Sequence, residues 1–135
     1  FDVADRLCAE SVQFRFALQA VVDWRYSPDA RAALARIWAG IESLLGISAE
    51  ISYRASLACA SLLEEAGSGR LELFKKVRSL YNRRSKAVHG DAISPLQLAD
   101  ALVESFQLLA RLIVFCVRSG RVPTADDQEV RLLAP

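Results

Sequence analysis

Apolar residues recur at three- and four-residue steps along almost the whole chain, and turn residues close each run, so the pattern predicts helices throughout. The first predicted helix runs from about Val3 to Trp24, with Val3, Leu7, Phe14, Leu18 and Val21 on one stripe. Tyr26-Ser27-Pro28-Asp29 breaks it, with Ser27 placed to cap the second helix and Pro28 to occupy its first turn. That helix turns Leu34, Ile37, Trp38, Ile41, Leu44 and Leu45 inward and stops at Gly46. Ser48 is expected to cap a third helix from Ala49 to about Ala66, with Ile51, Ala55, Leu57, Ala58, Leu62 and Leu63 as core positions. A flexible Gly67-Ser68-Gly69 turn precedes a fourth helix over about Arg70 to Val88. Gly90-Asp91-Ala92-Ile93 then leads to a fifth, opened by Ser94-Pro95 and reaching about Arg118. No stretch alternates with the two-residue period of a strand. The expectation is an all-α, antiparallel up-and-down bundle of about five helices over residues 1–120. In the tail, residues 121–135, Thr124 to Glu129 reads as a loose polar segment, with Val130, Leu132 and Leu133 free to dock.

At 135 residues the chain suits one domain. Hydrophobic residues make up 53 %, yet no run approaches the ~18 consecutive apolar residues of a membrane span, and the richest, Leu108 to Val117, is interrupted by Arg111. No basic-then-apolar leader is present. A soluble cytoplasmic protein with no membrane partner is expected. Cys8, Cys59 and Cys116 are odd in number, far apart and set among apolar residues, which fits reduced core thiols better than a disulfide framework. One histidine and no cysteine pair at ligand spacing argue against a zinc site, and neither metal nor other cofactor is expected. A chain that lacks Met and starts at Phe1 is expected to be a processed product or part of something longer.

Charge changes the picture in one place. The formal net charge is only +1, but Lys75, Lys76, Arg78, Arg83, Arg84 and Lys86 crowd the fourth helix, and no acid occurs between Glu72 and Asp91. His89, the one histidine, ends that helix, so acid/base chemistry near neutral pH has almost no other candidate. An anionic partner is the natural expectation. Leu73, Val77, Leu80, Arg84 and Val88 follow helical steps, which puts Arg84 on the stripe that otherwise faces the core. A buried guanidinium must be paired or line a cleft, and Glu42, the only acid of the second helix, is the expected partner.

Read structurally, Arg84 is half of an ion pair, His89 favours the negative end of a helix dipole, and the other cations form a solvated face. Read functionally, the cluster binds a phosphate backbone. At about 100° per residue, Arg84 and His89 differ by roughly 140° and do not share a face. They converge on one phosphate only if the helix loosens near Gly90 or if a second copy of the chain brings its own helix alongside. A two-fold dimer also supplies the second histidine that cleavage of RNA by its 2′-hydroxyl calls for, one as base and one as acid. Arginines across such a cleft stabilise charge at phosphorus.

The string Leu80-Tyr81-Asn82-Arg83-Arg84-Ser85-Lys86-Ala87-Val88-His89-Gly90 resembles the arginine, four to six residues, histidine signature of HEPN domains, in particular the Apea-like group. Ile41-Glu42-Ser43-Leu44-Leu45-Gly46 and Glu50-Ile51-Ser52-Tyr53-Arg54-Ala55-Ser56-Leu57 resemble that group's second and third helices, in the same order. The resemblance covers about Ala33 to Cys116. It implies a small helical bundle, commonly dimeric, and a metal-independent endoribonuclease of toxin-antitoxin, abortive-infection or other defence systems. Arg84 and His89 would be the catalytic pair, leaving a 2′,3′-cyclic phosphate and a 5′-hydroxyl. Glu42, Tyr81 and Ser85 would support them, Ser85 standing where active members often carry Asn, Asp or His. Lys76, Arg83 and Lys86 would hold the RNA backbone. The implied partners are RNA, a second copy of the chain, and an antitoxin or fused domain. Two alternatives remain: a non-catalytic HEPN module that dimerises, binds RNA or a nucleotide and regulates an adjoining domain, and an assembly bundle that only self-associates.

Overall fold

A computed structural model describes residues 2–134; Phe1 and Pro135 lie outside the described residues. The helices are α1 (Asp2–Glu10), α2 (Val12–Asp23), α3 (Ala30–Leu45), α4 (Ile51–Leu63), α5 (Ser68–Val88), α6 (Pro95–Ser119) and α7 (Ala125–Leu133), with a 3-10 turn at Trp24–Tyr26. The fold is all-α, with no strand among the described residues. Among the described residues seven helices replace the expected five, and local chemistry explains both additions.

Ser11 splits the first predicted helix. Its backbone is extended and its Oγ accepts the Phe14 N–H at 3.1 Å, while Arg15 donates to the Cys8 carbonyl at 2.6 Å, closing α1 as α2 begins. The expected loose tail is helix α7, started by a capping box: Thr124 N–H donates to Asp127 Oδ2 at 2.6 Å, and Arg121 pairs with the same carboxylate. None of its residues is buried. Arg131 holds it to α4 by donating to the Ser61 carbonyl at 2.5 Å.

Two expected caps also shift. Asp29, not Ser27, caps α3, accepting from Ala32 N–H at 2.8 Å. Ser48 does not cap α4, which begins two residues later than expected because Glu50 adopts the left-handed region at φ 50° and its carbonyl takes the Arg54 N–H. By contrast, the Ser94-Pro95 start is a complete capping box with Gln97.

The core centres on α3, which packs against α2, α5 and α6 and buries Leu34, Ile37, Trp38, Ile41 and Leu44. Gly40 lets α2 and α6 approach: a Cβ there would stand 3.0 Å from the Ala20 Cβ and 3.2 Å from Leu109 Cδ2. Trp38 joins three helices. Its indole N–H donates to Ser105 Oγ on α6 at 3.1 Å, and its ring meets Tyr81 of α5 edge-on at 5.3 Å. No described helix is long and apolar enough to cross a membrane.

Ser105 is the partner for the buried Trp38 N–H. Ser105→Ala strands that donor and is expected to lower stability by about 1–3 kcal/mol, read as a lower urea midpoint at unchanged slope.

Candidate functional site

The last turn of α5 is held from two directions. Gly90, at φ 77°, donates to the Ala87 carbonyl at 3.4 Å, and Asp91 donates to the Lys86 carbonyl at 2.9 Å. This double closure after a left-handed glycine stops the helix and leaves His89 as the residue before the turn, exposed to solvent. From α3, the Arg31 guanidinium donates to the Ala87 carbonyl at 2.9 Å and the Asp91 carbonyl at 3.0 Å, with Lys86 at 3.4 Å. Arg31 therefore fixes the segment that carries His89. Sequence reasoning missed it, although a cation in the first turn of a helix opposes the helix dipole and so flags another duty.

Arg84 takes the inward position its spacing predicts, with 20 % of its side chain exposed. Its Nη2 lies 3.7 Å from Glu42 Oε2, and its Cζ sits 5.3 Å from the Tyr81 ring centroid. The expected pair with Glu42 is formed, but 3.7 Å is an ionic contact and not a hydrogen bond. Arg84 Nε and Glu42 Oε2 are buried without a hydrogen-bond partner. Burial pushes the Glu42 carboxyl above its usual range, against the attraction of Arg84. On the same stripe the inward residue after Arg84 is Ala87; Val88 is 43 % exposed, which corrects its expected core position.

Arg84 and His89 thus lie on different sides of α5, Arg84 against α3 and His89 in solvent. The cations also divide. Lys76 pairs with Glu104 of α6 at 3.2 Å. Lys75, Arg78, Arg83 and Lys86 have no carboxylate within 4.0 Å among the described residues. At about 100° per residue, Lys75, Arg78, Asn82, Lys86 and His89 fall within roughly 80° of one another, a single exposed strip, with Ser85 at its edge. Of the cations expected to hold RNA, Lys86 shares that strip, Arg83 flanks it, and Lys76 is turned to α6. Lys75 and Arg78 belong to it as well. The chain's lysines, Lys75, Lys76 and Lys86, all sit on this one helix.

Two of the three thiols, Cys59 and Cys116, are buried away from this strip. Burial pushes Cys59 up to about 12 and Cys116 to about 11, so neither ionises near neutral pH. Among the described residues no three His, Cys, Asp or Glu side chains form a metal-holding group. Comparison of the chain with protein-family models, curated proteins and solved structures finds no match.

Two outcomes follow from this geometry. Arg31→Ala is expected to speed amide exchange at Gly90 and Asp91 by roughly tenfold while the rest of the bundle stays protected, because the carbonyls that order this turn lose a shared donor worth about 1 kcal/mol or more. Glu42 has a raised folded-state pKa, so its contribution to stability is full below the ordinary glutamate value and is lost as pH rises through the raised one. The stability difference between wild type and Glu42→Gln, from urea midpoints at a series of pH values, is therefore expected to move in favour of Glu42→Gln as pH climbs through that window.

Proposed function

We propose that the chain is a metal-independent endoribonuclease of the HEPN type, working in the cytoplasm in a defence or toxin-type system. The observation that carries this reading is Arg84: four-fifths buried, restrained by Glu42 and Tyr81, and making no hydrogen bond among the described residues. A guanidinium has five N–H donors, and here an ion contact spends none of them in a hydrogen bond. A phosphate is the group that such a fork recognises. Glu42 limits the swing of the side chain without saturating it.

In the reaction, the ribose 2′-oxygen attacks the adjacent phosphorus as one His89 imidazole takes its proton. The bond from phosphorus to the 5′-oxygen breaks, and a protonated His89 gives that oxygen a proton, leaving a 2′,3′-cyclic phosphate and a 5′-hydroxyl. Two copies of the chain supply the two histidines. Arg84 binds the nonbridging oxygens, where charge grows in the transition state. Lys86, with Lys75 and Arg78 along the strip, attracts the flanking backbone, and Ser85 lies beside its path.

One observation favours the second reading, a non-catalytic HEPN module that dimerises, binds RNA or a nucleotide and regulates an adjoining domain: Arg84 is turned toward α3 and away from His89. Incubation of mixed-sequence single-stranded RNA in EDTA separates the two. Wild type is expected to cut and leave cyclic phosphate ends, while folded His89→Ala and Arg84→Ala lose about 10²–10⁴-fold in rate. RNA binding without cutting by wild type would assign the chain to the second reading.

A further inference from the structure

Tyr53, in the first turn of α4, is 57 % exposed, although it stands beside the most basic helix of the protein. Its ring meets Phe74 of α5 edge-on at 6.0 Å and 78°, and the Arg78 guanidinium lies 5.5 Å from the Phe74 ring centroid. Tyr53 is thereby braced from one side by an aromatic ring that a cation already covers. It also forms part of the wall of a groove of about 580 Å³ between the start of α4 and α7, a size that accepts a planar ligand. Of the two acids lining that groove, Glu50 is occupied by Arg54 at 3.5 Å, and Glu129, on the α7 side, has no cation within 4.0 Å among the described residues.

We infer that Tyr53 is a base-stacking station for single-stranded RNA, set at the far end of the α5 strip from His89. The inference rests on the ribonucleic-acid reading above and adds to it a second contact point and a length. Stacking on an aromatic ring tolerates any base, since every base has a flat face, and cations alongside track the backbone. The order along the surface is Tyr53 beside Phe74, then Lys75, Arg78, Asn82, Lys86 and His89. At about 1.5 Å of rise per residue, Phe74 and His89 are roughly 22 Å apart along α5. That span suits a strand of about four nucleotides, the short end of single-strand sites. A base on Tyr53 thus anchors the strand several nucleotides from the phosphate at His89, which makes affinity depend on length while leaving sequence unread.

The test uses fluorescence anisotropy with an end-labelled eight-nucleotide mixed-sequence RNA, in EDTA, on His89→Ala protein so that no probe is cut. Tyr53→Ala is expected to weaken binding about tenfold and Tyr53→Phe to leave it unchanged, because the ring and not the hydroxyl stacks. A strand of the same length carrying abasic sites in place of its bases should bind the Tyr53→Ala and parent proteins equally. Equal affinity of Tyr53→Ala and parent for the ordinary RNA would overturn the stacking station while leaving the nuclease reading intact. Absence of RNA binding by the parent would overturn both. A tenfold loss that persists on the abasic strand also overturns it, since the residue would then act through the fold.

Discussion

Arginine side chains from neighbouring helices close the C-terminal ends of α1, α4, α5 and α6, and these bonds fix how the helices meet around the α3 core. The last carbonyls of a helix have no partner within it and carry the negative end of its dipole. Here Arg15 takes the Cys8 carbonyl of α1, Arg6 the Gly120 carbonyl after α6, and Arg31 the end of α5. The end of α4 is held most heavily. Arg111 donates to the Leu63 carbonyl, Arg70 to those of Ser61 and Glu64, and Arg131 to Ser61 again. Each donor comes from a helix other than the one it closes, so each bond both satisfies an end and ties two helices together. A forked guanidinium spans two or three carbonyls, which an ammonium does not do as well.

This use of arginine explains the electrostatics of the surface. A chain of formal charge +1 has few cations to spare once helix ends and ion pairs have taken theirs. Asp23 engages Arg36 through two bonds of 2.8 and 3.0 Å, and the Arg36 hydrogen bond holds the Asp23 carboxyl below its usual range. Asp127 is drawn down to about 2, chiefly by its bond from Arg121. What remains without a carboxylate is concentrated on α5, together with the lysines. The basic strip is thus a residue of the folding chemistry as much as a feature of one helix: away from α5, among the described residues, only Arg25 and Arg118 have neither a carboxylate nor a carbonyl partner.

Local signals were legible in the sequence and long-range ones were not. The inward face of α3, the stop at Gly46 and the Ser94-Pro95 start depend on residues within one or two turns, and the structure has them as read. The pair of Arg84 with Glu42 was legible for a different reason: a charge on an apolar stripe demands a partner, and the facing helix holds a single acid. Ser11 escaped notice because apolar spacing continues on both sides of it, and the α7 start escaped although Thr124 and Asp127 stand at capping distance. Nothing local could reveal that Arg131 ties α7 to Ser61, or that Arg31 reaches α5 across 55 residues of sequence. Val88 was misassigned because the stripe alternates steps of four and three, which carries it from Arg84 to Ala87. Tyr53 was visible in the sequence only within the string resembling a HEPN third helix, as a residue that would hold the bundle; its place beside Phe74 comes from the packing of α4 on α5.

The closure of α5 also bears on how Arg84 and His89 would act together under the ribonuclease reading. Two routes bring them to one phosphate: unwinding the helix near Gly90, or approach of a second copy. Unwinding would give up the Gly90 and Asp91 backbone bonds and the bonds from Arg31, each worth about 0.5–1.5 kcal/mol net. It would also expose Ala87, which is buried against the core. A second copy leaves all of these in place and needs only that exposed surface around His89 be covered; Val88 and Leu96, at 43 % and 73 % exposed, flank that turn and lose nothing by it. A rigid end to α5 is what a two-copy site requires, since each histidine must be presented to a phosphate that the other chain helps to hold. The bonds that resist unwinding at the end of α5 are therefore the same ones that would give a paired site its geometry.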